Sequence, residues 1–160
     1  MSAEDKLSLH TRYCTFRLGN LLLGIDVGQV QEVLRHDQMT TVPLAPAEVR
    51  GLINLRGQIV TAVDLRRQFG LAPSTELSLS AVVRAGDETI SLLVDDVGEV
   101  VETSPEDFEP VPVSVPARVR NLIAGTYKLA GKLLLVLDLQ RVEPTLEQRE
   151  DNPLHQPRQP

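Results

Sequence analysis

The 160-residue chain is long enough for one domain, or for two small halves that share a core. Its aromatic fraction of 3% and its lack of tryptophan exclude a base-stacking platform for single-stranded nucleic acid. Its net charge of −6 disfavours binding to a phosphate backbone or an anionic bilayer. With no apolar run long enough for a membrane span and a polar first segment, we expect a cytoplasmic protein without a signal peptide.

No group of residues in the sequence predicts catalysis, a metal site or a cofactor. Cys14 is the only cysteine, so an internal disulfide is excluded, and its place in an apolar strand predicts a buried, inert thiol. Asp95 and Asp96 are neighbours on a predicted strand and point to opposite faces, which favours a solvated turn over an acid–base pair. The three histidines are scattered along the chain. We therefore predict that the protein is not an enzyme.

The first segments of the chain predict short strands separated by turns. Residues 13–18 and 21–27 read as two strands of a hairpin around Gly19-Asn20, and residues 29–34 read as a third strand. That third strand places a glutamate between two apolar residues on one face, which is unusual for a core face. Residues 46–50 begin with proline and predict a single helical turn.

The stretch GLINLRGQIVTAVDLRRQFGL, residues 51–71, predicts a hairpin that carries one arginine, Arg56, at its tip. Gly57 suits the turn because glycine tolerates a positive φ without a Cβ clash. Asp64 is predicted to cap the helical turn that follows, and Gly70 is predicted to end it. No nucleophile or ligand cluster accompanies Arg56, so we interpret it as a contact residue.

The second half of the chain predicts a similar series of segments. They are strands at 79–84, 89–94 and 95–102, a proline-rich crossing at 103–116, a hairpin of 122–127 with 132–137, and a terminal helix at 141–149. The last part, 145–160, is rich in proline and poor in apolar residues, so we predict a largely disordered extension.

The two halves form an internal repeat. RLGN at residues 17–20 corresponds to RAGD at 84–87, and VQEV at 30–33 corresponds to VGEV at 97–100. Two sets of short strands predict an all-β protein of two small barrels packed together, about 13–71 and 79–142, in one domain at 11–144.

Features present in both copies of the repeat are interpreted as structural. Gly57 recurs as Gly131, whereas Arg56 is replaced by Ala130. The second copy therefore folds without an arginine at this place, which favours a role for Arg56 in binding a partner.

The segment GLINLRGQIVTAVDLRR, preceded by GIDVGQVQEV and followed by LLVDDVGEVV, resembles the CheW family of chemotaxis coupling proteins. The resemblance covers about residues 13–142 and implies two five-stranded SH3-like barrels around a shared core. It also implies a non-catalytic adaptor between the cytoplasmic tip of methyl-accepting chemoreceptors and the regulatory domain of a CheA-type histidine kinase. Such an adaptor is cytoplasmic and is recruited to membrane-bound receptor arrays. The alternative is an adaptor of a pilus-motility or surface-sensing pathway.

The same resemblance assigns roles to individual residues of the two motifs. It implies partner contacts for Val30 and Glu32 of VQEV and for Arg56 of NLRG, chiefly to the receptor tip. Leu79 and Val97 are expected at the same groove. Gly51 and Gly57 are expected to shape the backbone there.

Simpler explanations remain open for the two charged residues. Arg56 can be an ordinary solvated charge at a hairpin tip, and Glu32 can pair with a nearby cation such as Arg35. A general SH3-like module for proline-rich peptides is a poorer explanation, because 3% aromatic residues cannot line such a groove.

Overall fold

The computed structural model describes residues 10–35, 39–74 and 79–142. The strands are β1 (Thr11–Leu18), β2 (Leu21–Asp26), β3 (Val30–Arg35), β4 (Val49–Leu55), β5 (Gln58–Asp64), β6 (Leu79–Ala85), β7 (Glu88–Val94), β8 (Asp96–Thr103), β9 (Phe108–Glu109), β10 (Ile123–Leu129) and β11 (Lys132–Leu137). The helices are α1 (Leu65–Phe69), α2 (Ala117–Arg120) and α3 (Leu139–Val142), and 3-10 turns span Val27–Gln29 and Pro105–Asp107. This architecture confirms the predicted all-β class with short helical turns. The predicted disordered extension and most of the predicted terminal helix lie outside the described residues.

One local prediction was wrong, and one segment has more regular structure than its sequence indicated. The expected helical turn at 46–50 is a reverse turn closed by the Val49 amide donating to the Pro46 carbonyl, and β4 begins immediately afterwards. The proline-rich crossing contains a 3-10 turn and β9. A strand of two residues has no alternation of apolar and polar positions, so its sequence carries no strand signal.

The strands form two sheets, and each sheet takes strands from both halves of the repeat. The six-stranded sheet has the order β8-β1-β2-β11-β10-β9, and the five-stranded sheet has the order β3-β6-β7-β5-β4. One parallel pair joins the halves in each sheet: β2 with β11, where Leu23 faces Leu135, and β5 with β7, where Val63 faces Leu92. The backbone pairing of the described strands leaves both sheets open, where closed barrels were expected.

Both sheets contribute to one apolar core. Phe16, Leu23 and Leu135 of the six-stranded sheet are buried with Val63 and Leu92 of the five-stranded sheet. Full burial of a side chain of this size contributes roughly 1.5–3 kcal/mol. Because residues of the two parallel pairs lie in this core, it is also the junction between the two halves of the repeat.

Turn and cap residues confirm the predictions made for them. Gly19 and Gly86 both adopt a positive φ, of 62° and 65°, at equivalent hairpins of the two copies. The carboxylate of Asp64 accepts the amide proton of Arg67 at 3.2 Å, which caps α1. Gly70 ends the helix in the left-handed region, with φ 74°.

Asp95 is the centre of a clamp that the sequence did not predict. Its carboxylate accepts from the Arg66 guanidinium, with Nε at 3.0 Å and Nη2 at 2.6 Å, and from the Gly19 amide at 2.7 Å. The Arg66 side chain is only 17% exposed and that of Asp95 25%, so the solvated turn expected at Asp95 was wrong. The hydrogen bonds from Arg66, aided by the Gly19 amide, lower the pKa of Asp95 although partial burial opposes this. This Asp95 clamp ties the β1–β2 hairpin to α1 and to the end of β7.

Asp95→Asn is expected to lower the free energy of unfolding at pH 7 by about 1–2 kcal/mol, because the charged acceptor of a shielded arginine is lost. The folded-state pKa of Asp95 is depressed, so its stabilisation is present above the unfolded pKa of about 4 and is lost as pH falls through the folded value. Denaturant melts of both proteins should therefore converge in acid. The matched control is Asp96→Asn, whose 59% exposed side chain predicts a change within about 0.5 kcal/mol. Equal losses in both variants would contradict the clamp.

Candidate functional site

The tip of the β4–β5 hairpin is a two-residue turn that presents Arg56. Both turn residues have positive φ, 52° for Arg56 and 86° for Gly57, which is the sign pattern of a type I′ turn. The Asn54 side-chain oxygen accepts the Gly57 amide proton at 2.9 Å. The predicted positive φ of Gly57 is confirmed. A Cβ on Gly57 would meet no atom within 4 Å. Glycine is therefore favoured there because of the positive φ, and not because neighbouring atoms leave no room for a side chain.

The equivalent turn of the second copy has a different backbone. In the β10–β11 hairpin only Gly131 has positive φ, of 72°, and Ala130 does not, which is the sign pattern of a type II turn. A residue with a Cβ is uncommon at positive φ. Arg56 therefore differs from its counterpart Ala130 in conformation as well as in side chain, a difference that the sequence comparison could not show.

Arg56 forms a bidentate ion pair with Glu32. Nη1 donates to Oε1 at 2.6 Å and Nη2 donates to Oε2 at 2.7 Å, the geometry of the stronger arginine–carboxylate pairs. These hydrogen bonds lower the pKa of Glu32 and raise the pKa of Arg56. The pair explains why β3 places a glutamate between half-buried Val30 and Leu34. Arg35, the nearby cation considered from sequence, is not the partner of Glu32.

The ion pair joins strands that are not neighbours in the five-stranded sheet. Strand β3 lies at one edge, and the β4–β5 hairpin lies at the other side of β6 and β7. Neighbouring strands are about 4.8 Å apart, so β3 and β5 would be about 14 Å apart in a flat sheet, a distance that only fully extended arginine and glutamate side chains span together. Side chains of Arg56 and Glu32 therefore link the two sides of a sheet that its backbone leaves open.

Arg56 keeps donors available while it is paired. The guanidinium has five N–H groups, and two of them bond Glu32, so the other three have no partner among the described residues. The Arg56 side chain is 73% exposed, whereas that of Glu32 is 25% exposed. The glutamate thus holds the arginine in one orientation, and the arginine presents the remaining donors to solvent.

Gly51 allows a loop to cross β4 closely. A Cβ at this position would lie 2.7 Å from the backbone oxygen of Thr40, a separation that real Cβ atoms do not show. Thr40 exchanges two backbone hydrogen bonds with Leu52, at 2.9 and 2.8 Å, which hold the loop there. The structure therefore explains glycine at position 51 by close packing of the backbone.

The structure brings Arg56 to Glu32 on β3, whereas Leu79 pairs with Arg35 at the far end of β3 from Val30. Val30 and Glu32 lie on β3, Leu79 begins the neighbouring β6, and Arg56 reaches β3 through the ion pair. Val30 and Leu79 are half-buried and pack against the core. Val97 lies on β8 of the other sheet and is 44% exposed.

Exposed valines near the two sheet edges were not singled out from the sequence. Val33 on β3, Val100 on β8 and Val27 in the first 3-10 turn all expose more than a third of their surface. That 3-10 turn lies against β1 and β6, the strands next to β8 and β3. The sequence feature that could have identified Val33 and Val100 is that both valines end the repeated motif, VQEV in the first copy and VGEV in the second. Clustered exposed apolar residues mark interaction surfaces.

Cys14 is half-buried where a buried thiol was predicted, and burial followed by the charge of Asp26 raises its pKa. Residues 10–35, 39–74 and 79–142 contain no cluster of three or more His, Cys, Asp and Glu that could hold a metal ion. In the same ranges, no helix has the length and apolar character needed to span a membrane.

Two similar sheets around one core, with an exposed arginine held by a glutamate and exposed valines on both sheets, define a duplicated β module. The chain belongs to the CheW-like domain family, whose profile matches residues 12–145. It is 30% identical over 132 residues to the chemotaxis protein CheW of Klebsiella aerogenes, covering 81% of this chain and 80% of that protein. It is 26% identical over 141 residues to protein FrzA of Myxococcus xanthus, covering 84% and 86% of the two chains.

A solved structure confirms the likeness of the fold. The crystal structure of the scaffolding protein TtCheW from Thermoanaerobacter tengcongensis matches with a TM-score of 0.71 and 27% sequence identity. The match covers 79% of this chain and 83% of that chain. The recognition of the CheW family from the NLRG and VQEV motifs is therefore confirmed.

Proposed function

We propose that this protein is a non-catalytic adaptor that couples the cytoplasmic tips of methyl-accepting chemoreceptors to a CheA-type histidine kinase. It acts in the cytoplasm and is recruited to membrane-bound receptor arrays. The observation that supports this most is the exposed Arg56 held by Glu32, which joins the two motifs that resemble the family's contact segments. Membership of a family that includes a scaffolding protein supports the same role.

In this proposal the receptor tip contacts the flank that carries Val30, Glu32 and Arg56. The three free N–H groups of Arg56 bind carboxylate or carbonyl oxygens of the receptor. Leu79 and Val97 extend the apolar part of the contact, while the regulatory domain of the kinase binds a separate surface. An adaptor of this kind needs no catalytic group, since it changes kinase activity by bringing two proteins together.

Gly51 and Gly57 shape the backbone around that contact in the same proposal. Gly51 lets the loop at Thr40 cross β4, and Gly57 permits the turn that carries Arg56. Neither glycine touches the partner in this scheme, so their substitution acts through the shape of the surface.

A second candidate is an adaptor of a chemosensory pathway that controls pilus motility or surface sensing. This second candidate is supported by the similarity to protein FrzA of Myxococcus xanthus, a relative whose name differs from that of the CheW proteins. The two candidates share the chemistry of the contact and differ in the receptor and kinase that are bound. Identifying the kinase that co-purifies with the tagged full chain distinguishes them.

The adaptor proposal is tested by reconstituting receptor fragments, kinase and this protein. Kinase autophosphorylation is expected to rise only when all three are present, because the receptor and the kinase meet through the adaptor. The protein alone is expected to consume no ATP. Full kinase activation in the absence of this protein would refute the proposal.

A further inference from the structure

A second surface of the molecule is a groove of about 960 Å³ between the tips of two hairpins and the ends of two helices. Apolar side chains line much of it, among them Leu21, Leu71, Val115 and Leu133. None of the residues assigned to the adaptor contact is part of this lining. Binding at this groove is therefore separate from the proposed adaptor contact and does not depend on it.

The rim of the groove is positively charged although the whole chain has a net charge of −6. Arg17, Arg118 and Lys132 belong to the lining, and no aspartate or glutamate does. Arg17 has only a long contact of 3.7 Å with the carboxylate of Asp96, and both side chains are more than half exposed. Such a surface pair neutralises little charge.

The other two rim cations are not neutralised by a carboxylate within the described residues. Arg118 donates to the backbone carbonyls of Gln68, at 3.1 Å, and Arg67, at 2.8 Å, so it closes the end of α1 and keeps its positive charge. Lys132 makes no ion pair with another described residue. An acidic partner would therefore gain attraction here without first displacing an internal carboxylate.

The strands that border the groove have no free backbone edge. Strand β2 is paired with β1 and β11, and β11 is paired with β2 and β10. A peptide therefore cannot add to β2 or β11 as a further strand of the sheet, because each of these strands already has two neighbours. Recognition has to use side chains, as when a helix lays its apolar face in a groove.

We propose that this groove docks an amphipathic helix of a partner protein, with an apolar face in the groove and aspartate or glutamate residues beside it. The apolar lining takes side chains at i, i+3 or i+4, and i+7 of that helix. Arg17, Arg118 and Lys132 face its flanking carboxylates. Gly131, where an added Cβ would meet no atom within 4 Å, lets the helix approach the hairpin turn at the rim.

The probe is a synthetic helical peptide of about five turns with leucines in this pattern and glutamates at the flanking positions. Its first control has lysines at the flanks, and its second has serines in place of the leucines. The affinity of each peptide for the full chain is measured by fluorescence anisotropy. The binding site is located from changes in the amide NMR chemical shifts of the protein. The glutamate-flanked leucine peptide should bind at least about 10-fold more tightly than either control. Amide signals of Gly19, Gly70 and Gly131 should move, and that of Gly57 should not.

Two charge reversals on one hairpin provide the matched protein variants. Lys132→Glu should weaken binding of the acidic peptide by about 5-fold, because it replaces attraction at the rim with repulsion. Lys128→Glu changes the net charge equally on the same hairpin, where Lys128 is 75% exposed and lies 3.6 Å from Glu109 outside the groove. Its binding should stay within about 2-fold of the wild type.

Several outcomes would overturn the inference. They are no binding of the acidic peptide to the full chain, equal binding of all three peptides, and equal effects of the two reversals. Binding that appears only when the chain is shortened to end at Val142 would mean that the protein's own last segment fills the groove. If the wild-type protein forms a dimer and Lys132→Glu dissociates it, the occupant of the groove would be a second copy of this chain. The peptide assay contains neither receptor nor kinase, so its failure leaves the adaptor proposal intact.

Discussion

Replacing Arg56 with alanine is expected to weaken binding to the reconstituted receptor–kinase complex by about 30-fold without unfolding the protein. The arginine presents three free N–H groups, and its side chain is 73% exposed, so its removal takes contacts from the partner rather than from the core. Alanine at φ 52° is as strained as arginine, because both carry a Cβ. Co-sedimentation should show the loss, while the thermal unfolding midpoint should stay within about 2 °C of the wild type.

Arg35→Ala is the matched control for the loss of one arginine. Arg35 is exposed on β3 and makes no ion pair with another described residue. Its removal changes the net charge by the same amount near the same surface. Binding close to wild-type strength is expected, and a loss equal to that of Arg56→Ala would show that only total charge matters.

A charge swap separates the internal ion pair from the contact with the partner. The double variant Glu32→Arg and Arg56→Glu can form the pair in reverse, but it offers the partner a carboxylate at the hairpin tip. We expect the fold to be kept and binding to remain lost. Recovery of binding by the swap would mean that the pair acts only by holding the hairpin against β3, and the contact role of Arg56 would be wrong.

Gly51→Ala is expected to lower the free energy of unfolding by about 1–3 kcal/mol, as in other overpacked sites. The added Cβ would lie 2.7 Å from the Thr40 backbone oxygen, and a backbone atom cannot rotate away as a side chain can. Relief of the clash has to move the loop, which weakens the two hydrogen bonds between Thr40 and Leu52. Denaturant melts at fixed pH measure the loss.

Gly28→Ala is the control for this substitution. A Cβ at Gly28 would meet only the Asp26 side-chain oxygen, at 3.3 Å, and that side chain is able to shift. A change within about 0.5 kcal/mol is expected, as for other surface substitutions. If both variants lose the same stability, the cost comes from replacing glycine in general, and the close approach of Thr40 does not explain residue 51.

The sequence predicted local structure well because turns and strands leave local signals. Glycine at the hairpin tips, the cap at Asp64 and the alternation along each strand follow from backbone sterics and side-chain direction within a few residues. The repeat also indicated two similar sets of strands correctly. The NLRG and VQEV motifs identified the family, and the structure then brought the two motifs together at Arg56 and Glu32.

What the sequence did not predict depends on partners distant in the chain. A period of two identifies a strand but not its neighbour, so the exchange of hairpins between the sheets was not foreseen. For the same reason Glu32 was compared with Arg35, the nearest cation in sequence, and not with Arg56. Asp95 was read as solvated because Arg66 and Gly19 approach it only in the folded protein.

The parallel pairing of β2 with β11 and of β5 with β7 sets the order in which the protein can fold during synthesis. The β1–β2 hairpin is synthesised long before its neighbour β11, the last strand among the described residues. Pairings across so long a stretch of chain slow folding, because loop closure precedes the gain from contacts. Until β11 emerges, the free side of β2 is an open strand edge able to pair with another nascent chain. Chaperone binding to nascent chains should therefore persist until β11 has emerged.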